Sequence, residues 1–175
     1  MLRVSTRGEY GVRLMVDLAR YYGGKARSLT EISQAEGLVL KLQYLEQLVK
    51  SLREANLVES TRGAHGGYRL SRAPDQIRLS EVLRVLEGPV APMICATEGD
   101  MDIICDRLDG CSTKFLWMRV RDAVAATLDS ITLADLVVNS PAPGAGAAQF
   151  ASFTPRLSFT SRRKEKDIAG QPSAN

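Results

Sequence analysis

The three cysteines of the chain are the residues best suited to chemistry. Cys95, Cys105 and Cys111 are its only thiols, and they fall within 17 of its 175 residues. The surrounding stretch, PMICATEGDMDIICDRLDGCSTKFLW, has five carboxylates and little apolar periodicity, whereas a structural cysteine usually packs as a small hydrophobe in a regular element. We therefore expect a loop that holds a shared ligand, because thiolates bind iron-sulfur clusters and zinc.

The composition favours a globular protein in a reducing compartment. The chain has 45% hydrophobic and 25% charged residues, which is enough apolar material for one ordinary core. It has no run of about 18 apolar residues that would span a membrane, and its N-terminus lacks the apolar region of a signal peptide. We expect a cytoplasmic protein. An odd number of thiols then argues against a disulfide framework and for metal or redox chemistry.

The net charge of +3 is unevenly distributed along the chain. Residues 1–72 carry 12 Lys and Arg against 7 Asp and Glu, residues 73–140 carry 6 against 11, and residues 141–175 carry 5 against 2. A basic front half indicates binding to a polyanion, although solvated surface charge alone would give the same count.

The front half has the pattern of a helix-turn-helix. Apolar residues recur at helical spacing over residues 9–22, and a second helix begins after Ser28 or Thr30 and ends at Gly37. A third, strongly amphipathic helix is predicted over residues 43–55. Two helices joined by a brief turn that contains glycine are typical of this motif.

A glycine-rich hairpin follows the third helix. Two strand-like runs, residues 57–61 and 68–71, enclose the sequence RGAHGG of residues 62–67. Because glycine has no side chain, the tip of this hairpin lets the backbone approach a phosphate closely. A helix-turn-helix followed by such a hairpin is a winged helix.

The second half is expected to be helical on both sides of the cysteines. A helix over residues 80–86 ends at Gly88, an amphipathic helix covers residues 114–130 after the cysteine stretch, and a short final helix includes Leu133. The small N-terminal domain does not obviously cover the apolar face of the long helix. A two-fold partner is therefore the expected cover, and folding back on its own subunit is the alternative. Beyond residue 140 the composition indicates a disordered tail.

The fold class is therefore mainly α with a small β-wing: a winged helix-turn-helix domain plus a long C-terminal dimerisation helix. We divide the chain into a DNA-binding domain at residues 1–88, a cysteine-containing cluster-binding loop at 89–112, a dimerisation helix with a short final helix at 113–140, and the tail at 141–175.

The third helix and the wing supply the candidates for DNA contact. Gln43 and Gln47 lie one turn apart on the third helix, where their amides would read adenine. Basic residues are expected on phosphates, which give position and affinity without sequence information; these are Arg3, Arg7, Lys50, Arg62 and Arg69. Lys41 and Tyr44 near the turn, and Gly63, His65, Gly66 and Gly67 on the wing, complete the set. His65 is the only histidine, and its place favours a phosphate or minor-groove contact over metal ligation.

These motifs resemble the family of winged-helix regulators typified by IscR, NsrR and RirA. The resemblance covers about residues 1–138: MLRVSTRGEYGVRLMVDLA, QYLEQLVKSLREANLVES, TRGAHGGYRLSR, the Cys105-x5-Cys111-x5-Trp117 spacing and ITLADLV. It implies a homodimer on double-stranded promoter DNA, with the long helix in the dimer interface and an iron-sulfur cluster, 2Fe-2S or 4Fe-4S, on the three cysteines. It also implies a repressor whose DNA affinity follows redox, nitric oxide or iron status.

The fourth ligand of such a cluster departs from the pattern of IscR, because Lys114 stands where IscR has a ligating histidine. An ammonium group cannot bind iron. Relatives resembling NsrR take an acidic residue from the first helix of the other subunit, and the matching residue here is Glu9. Its alternative role is a favourable carboxylate in the first turn of a helix. The connection LVLKLQ before the third helix is also longer than usual, which leaves open which of its residues meets bases.

Two interpretations without a cluster stay open. A structural zinc site would use the three cysteines and one of Asp102, Asp106 or Asp109, and a thiol-disulfide switch would use two cysteines alone. An enzyme has little support, because the chain has one histidine, no phosphate loop and no triad-like set. We expect no small-molecule substrate and no membrane partner.

Overall fold

The computed structural model describes residues 4–36, 42–63, 66–89, 92, 96 and 111–139. These ranges contain six α-helices and one antiparallel two-stranded sheet, which confirms the expected fold class. The helices are α1 (Thr6–Arg20), α2 (Leu29–Ala35), α3 (Leu42–Glu54), α4 (Leu79–Glu87), α5 (Lys114–Asp129) and α6 (Leu133–Asn139), and the strands are β1 (Val58–Thr61) and β2 (Gly67–Leu70). A 3-10 turn, Pro74–Gln76, precedes α4. Within these ranges no helix is long and apolar enough to cross a membrane. The predicted tail lies outside them.

Side-chain caps define where α1 and α2 begin. Ser5 Oγ accepts the N–H of Arg7 at 3.1 Å, so α1 begins at Thr6, earlier than the start at Glu9 that the apolar pattern predicted. At α2, Ser28 Oγ accepts the N–H of Glu31 at 3.3 Å, and a Glu31 oxygen accepts the N–H of Ser28 at 2.7 Å. This reciprocal pair is a capping box, and it satisfies N–H groups that have no partner within the helix.

One apolar cluster joins the helices to the wing. On α3 the buried residues recur at the spacing of one helix face, as the sequence predicted: Leu45, Leu48, Val49 and Leu52. They meet apolar side chains from every other helix of the winged domain, from both strands and from α6, among them Leu14, Leu18, Ile32, Val58, Leu70, Val82, Leu86 and Leu133. The exposed face of α3 is thereby left for a partner outside this core.

The wing consists of β1 and β2, with Val58 opposite Leu70. Arg27, just before α2, pairs with the far side of β2: its N–H donates to Tyr68 O at 2.9 Å, and the Tyr68 N–H donates to Arg27 O at 2.8 Å. A Cβ atom on Gly67 would lie 2.5 Å from Arg27 O, so this close approach requires glycine. The wing is thus attached to the helices through its backbone.

The segments around α4 and α6 run side by side. The N–H of Leu79 donates to Ile131 O at 2.9 Å, and the N–H of Leu133 donates to Ile77 O at 3.0 Å. Ile77 and Leu133 are fully buried, so α6 packs against the winged domain. The intervening helix α5 differs, because it contains no buried residue.

Candidate nucleic-acid interface and cysteine segment

Helix α3 carries an exposed polar face opposite its buried one. Gln43, Gln47 and Lys50 are exposed, whereas Tyr44 is half buried and packs against the core. Gln43 and Gln47 are separated by one turn and therefore share a face. A helix of this kind, preceded along the chain by α2, has the arrangement by which a recognition helix presents amides to the major groove.

A cleft of about 290 Å³ lies between the start of α1 and the exposed face of α3. Arg7 Nη2 donates a hydrogen bond to Ser51 Oγ at 2.9 Å across it. The cleft is lined by Arg7, Tyr44, Gln47, Leu48, Lys50, Ser51 and Glu54. The structure therefore brings Arg7, Gln47 and Lys50 together, although Arg7 is far from the other two in sequence. Two cations beside an amide suit phosphate contact next to base reading.

Two polar residues of this cleft, Ser51 and Glu54, were not among the sequence candidates. Ser51 accepts from Arg7 and donates to Gln47 O at 3.3 Å. Its spacing of four residues from Gln47 places it on the same face, and this signal was present in the sequence. Glu54 also lines the cleft, and its spacing of four residues from Lys50 likewise placed it on the polar face of this helix.

The wing presents arginines at its outer edge. Arg62 and Gly63 are exposed next to β1, and Arg69 on β2 is exposed as well. Arg69 forms an ion pair with Glu59, directly opposite on β1, at 3.1 Å. Because an exposed pair contributes less than about 1 kcal/mol to stability, a phosphate can replace Glu59 at little cost.

The other wing and turn candidates divide into two groups. Gly66 and Gly67 are half buried, and both lie against backbone: a Cβ atom on Gly66 would lie 2.5 Å from Thr61 O. The absent side chain of Gly66 therefore serves the packing of the hairpin itself, and that of Gly67 serves the close approach of Arg27. Arg3, Lys41 and His65 lie outside the described residues.

Of the three thiols, Cys111 lies within the described residues. It is half buried, and its Sγ atom lies 3.2 Å from Thr113 Oγ1. Cys111 O accepts the N–H of Lys114, the first residue of α5, at 3.3 Å. The cysteine thus stands directly at the start of the long helix. Outside the described residues lie Cys95, Cys105, Asp102, Asp106 and Asp109.

Glu9, the candidate fourth ligand, is in the first turn of α1. Its side chain is 54% exposed and forms an ion pair with Arg13 at 2.8 Å. An exposed carboxylate in this place can bind an additional group while it interacts favourably with the helix dipole. Within the described ranges no three His, Cys, Asp or Glu side chains are grouped as metal ligands, and two of the three thiols lie beyond those ranges.

An amphipathic α3 with a polar outer face, a capped α2 and an attached hairpin together define a winged-helix DNA-binding protein. The model of the Rrf2 family, described as iron-dependent transcriptional regulators, matches residues 4–139, and the chain belongs to this family. It is a transcriptional regulator and not an enzyme, as expected. Regulators of this family bind DNA and are typically dimeric.

Relatives that are similar to this chain over most of its length include regulators named CymR and IscR. CymR of Bacillus subtilis, a helix-turn-helix transcriptional regulator, is 43% identical over 135 residues, which are 77% of this chain and 89% of CymR. IscR of Sodalis glossinidius is 38% identical over 139 residues, 79% of this chain and 80% of IscR.

Solved structures of both CymR and IscR are similar to this chain. A structure of CymR, described as the global cysteine regulator of B. subtilis, aligns with a TM-score of 0.64 at 43% identity and covers 81% of this chain and 100% of CymR. T. potens IscR also has a TM-score of 0.64, at 40% identity, over 85% of this chain and 93% of its own. These similarities confirm the resemblance to the family of IscR. The chemistry that the protein senses must be argued from the residues of this chain.

Proposed function

We propose that the chain is a homodimeric, cytoplasmic repressor whose affinity for promoter DNA is controlled by an iron-sulfur cluster bound to Cys95, Cys105 and Cys111. The observation that carries this proposal is the place of the thiols. They lie between α4, which ends at Glu87 within the winged domain, and α5. A group held there acts on both neighbours, so its gain or loss in response to redox, nitric oxide or iron changes DNA affinity.

The donor set suits a cluster. Thiolates are the usual protein ligands of cluster iron, and Glu9 of the partner subunit is our candidate for the remaining position because Lys114 cannot bind. Glu9 is exposed and paired with Arg13, so its carboxylate is accessible to a second group. An oxygen ligand holds iron less firmly here than a fourth thiolate would. The resulting lability is what a sensor needs.

The partner subunit is inferred from α5. Large apolar residues at the start of this helix are exposed, Phe115 at 70%, Leu116 at 51% and Met118 at 37%. The guanidinium of Arg119 lies 5.6 Å from the ring centre of Phe115, which keeps that side chain at the surface beside a cation. Clustered exposed apolar side chains mark an interaction surface, and a second copy is the simplest cover because closed two-fold dimers are the commonest oligomers.

We assign DNA contact to the polar face of α3 and to the wing. Gln43 and Gln47 would read bases, and Arg7, Lys50, Arg62 and Arg69 would contact phosphates. The exposure of all six side chains supports this assignment. The remaining candidates stay predictions: Arg3, Lys41, Tyr44, Gly63, His65, Gly66 and Gly67.

A regulator without a cluster is the second candidate. The 43% identity to CymR, described as a global cysteine regulator, favours it. In this case two of the cysteines would alternate between thiol and disulfide states. A structural zinc ion bound by the three cysteines and one aspartate is the other arrangement open to the same residues.

Anaerobic purification followed by absorption spectroscopy and metal analysis separates these candidates. A cluster gives a coloured protein that contains iron and acid-labile sulfide, a zinc site gives a colourless protein that contains zinc, and a thiol switch contains neither. Gel-shift titrations on the promoter upstream of its own gene, with loaded, apo reduced and apo oxidised protein, then identify the state that binds. Failure to retain iron after anaerobic reconstitution would overturn the cluster proposal.

A further inference from the structure

The last residue of α4 caps the beginning of α1. Glu87 Oε1 accepts hydrogen bonds from the N–H of Gly8 at 2.7 Å, from the N–H of Ser5 at 3.2 Å and from the hydroxyl of Ser5 at 2.5 Å. A carboxylate in this place satisfies an N–H group that has no acceptor within the helix, and it complements the positive end of the helix dipole. A side chain far along the chain therefore completes the first turn of α1.

Two glycines of α1 allow α4 to come this close. A Cβ atom on Gly8 would lie 2.3 Å from Glu87 Oε1, and one on Gly11 would lie 2.2 Å from Leu86 Cδ1. Both distances are far below van der Waals contact, so any larger residue would displace the side chains at the end of α4. The close contact between α1 and α4 therefore depends on glycine at both positions.

Glu87 precedes the cysteine segment in the sequence and contacts α1 in the structure. On one side, Gly88 follows with a φ of 85°, and the chain continues into the cysteine segment. On the other side, the first turn of α1 carries Arg7, whose guanidinium donates to Ser51 of α3 at 2.9 Å. The same turn carries Glu9, the candidate ligand.

We propose that Glu87 is a positioning residue that transmits the state of the cysteines to α3. The inference rests on the proposed function, in which that state changes. When the cysteine segment rearranges, the end of α4 moves and Glu87 leaves Ser5 and Gly8. The first turn of α1 then shifts, together with Arg7 and its bond to Ser51.

The cap can break without unfolding α1. Ser5 Oγ also accepts the N–H groups of Arg7 at 3.1 Å and of Gly8 at 3.4 Å, so the helix keeps a cap of its own after Glu87 departs. Under this proposal the contact has two states, made and broken. An element with two states that both sites can bias is the physical requirement for coupling.

The test is the ratio of DNA affinities between cluster-loaded and apo protein, measured on the full chain with the promoter fragment upstream of its own gene. A coupling of ordinary size gives wild-type protein a ratio of roughly 5 to 150. Glu87→Ala should bring the ratio below about 3. Glu87→Gln should be intermediate, because its amide oxygen still accepts N–H groups but carries no charge. Gly8→Ala displaces the carboxylate and should lower the ratio as well.

A matched control is the cap of α6. Asp135 Oδ2 accepts the N–H of Thr132 at 2.8 Å and its hydroxyl at 2.7 Å, so this carboxylate caps its own helix. Asp135→Asn should lower the melting temperature and keep the wild-type ratio. A purely structural role for Glu87 would give this same result for Glu87→Ala.

Each outcome decides the inference. An unchanged ratio in Glu87→Ala overturns it and leaves the proposed function intact, whereas a wild-type ratio of one among loaded, apo reduced and apo oxidised protein overturns both. Where Glu87→Ala does not fold, amide hydrogen exchange of Gly8 in wild-type protein decides instead. Exchange should differ between loaded and apo states, and equal rates overturn the inference.

Discussion

Arg27 donates hydrogen bonds to both carboxylate oxygens of Asp17, each at 3.2 Å, and Asp17 is fully buried. The Arg27 guanidinium also lies 4.1 Å from the ring centre of Tyr21, while its backbone pairs with Tyr68 of the wing. Burial acts to lower the pKa of Arg27, but the hydrogen bonds to Asp17 and its negative charge, together with Tyr21 and Glu31, raise that pKa above its ordinary value. One residue therefore connects α1, the start of α2 and the wing.

Removal of Arg27 should destabilise the fold strongly. Arg27→Ala leaves a buried carboxylate without its cation, a change that costs about 3–5 kcal/mol of the free energy of unfolding. Urea denaturation measures the loss. The matched control is Arg69→Ala, which breaks the exposed pair with Glu59 and should cost less than about 1 kcal/mol. Equal losses in the two variants would contradict the role assigned to the buried pair.

Stability should fall in acid as Glu31 and Asp135 become protonated. The hydrogen bond from the backbone N–H of Ser28, followed by that from its hydroxyl, lowers the pKa of Glu31 below the ordinary 4.5. The same groups of Thr132 lower the pKa of Asp135 below the ordinary 3.8. Because both pKa values are lower in the folded state, the stabilisation is present above the unfolded values and lost as pH falls through the folded ones.

Urea midpoints recorded between about pH 6 and pH 2.5 test this expectation. Wild-type stability should decrease toward the acid end, and the double variant Glu31→Gln, Asp135→Asn should show a shallower decrease from a lower starting value. Parallel curves for the two proteins would mean that other carboxylates control the acid response.

A charge on the apolar end of α5 should separate the subunits. Leu116→Glu places a carboxylate on the surface proposed to be covered by the partner, so sedimentation velocity should show a monomer. DNA affinity should fall at least about tenfold, because a monomer binds through one domain and lacks the gain in affinity that two linked domains provide. The control is Val138→Glu on α6, where the residue is 83% exposed. A dimer that persists in Leu116→Glu would exclude this surface as the interface.

Lys50 should contribute to DNA affinity on any sequence, whereas Gln47 should contribute mainly on the operator. Lys50→Ala should weaken binding to specific and random DNA alike and reduce the slope of log affinity against log salt by about 1. Gln47→Ala should cost about 1–3 kcal/mol on the operator and little on random DNA. Fluorescence anisotropy at several salt concentrations measures both. A Gln47→Ala loss that is equal on all sequences would reject base reading by this amide.

Glu9→Ala should make the cluster less durable if Glu9 of the partner subunit is a ligand. We expect the visible absorption of the reconstituted protein to decay in air at least about tenfold faster, since even indirect partners of a metal site contribute this much to affinity. Arg13→Ala is the control, because it removes the ion-pair partner of Glu9 and keeps the carboxylate. An unchanged spectrum and unchanged redox behaviour in Glu9→Ala would reject the assignment.

The sequence predicted those elements whose signals are local. Leu45, Leu48, Val49 and Leu52 bury one face of α3, as their spacing indicated, because a helix repeats its faces every three to four residues. The glycine-rich run before Tyr68 likewise marked the hairpin. Exposed amides on α3 followed from the same periodicity.

Contacts between distant parts of the chain could not be predicted from local sequence patterns. The bond from Gly8 to Glu87 and the backbone pairing of Arg27 with Tyr68 join residues whose neighbours in sequence give no sign of each other. The buried Asp17 was not predicted either, although an acidic residue within the apolar face of α1 needs a cation partner. Identification of that partner as Arg27 required the structure.

Because α5 contains no buried residue, the proposed switch would depend on the concentration of the protein if the proposed dimer covers this helix. A helix of 16 residues is only marginally stable by itself in water, so α5 depends on its packing against α4 and, in the proposed dimer, on the partner subunit. A larger fraction of the protein is associated at higher concentration, and the melting temperature rises accordingly. Cys111 precedes this helix, so the thiol would be held more firmly where the regulator is abundant than where it is scarce. In the proposed dimer, the amount of protein would thus act as a second input beside the chemical signal.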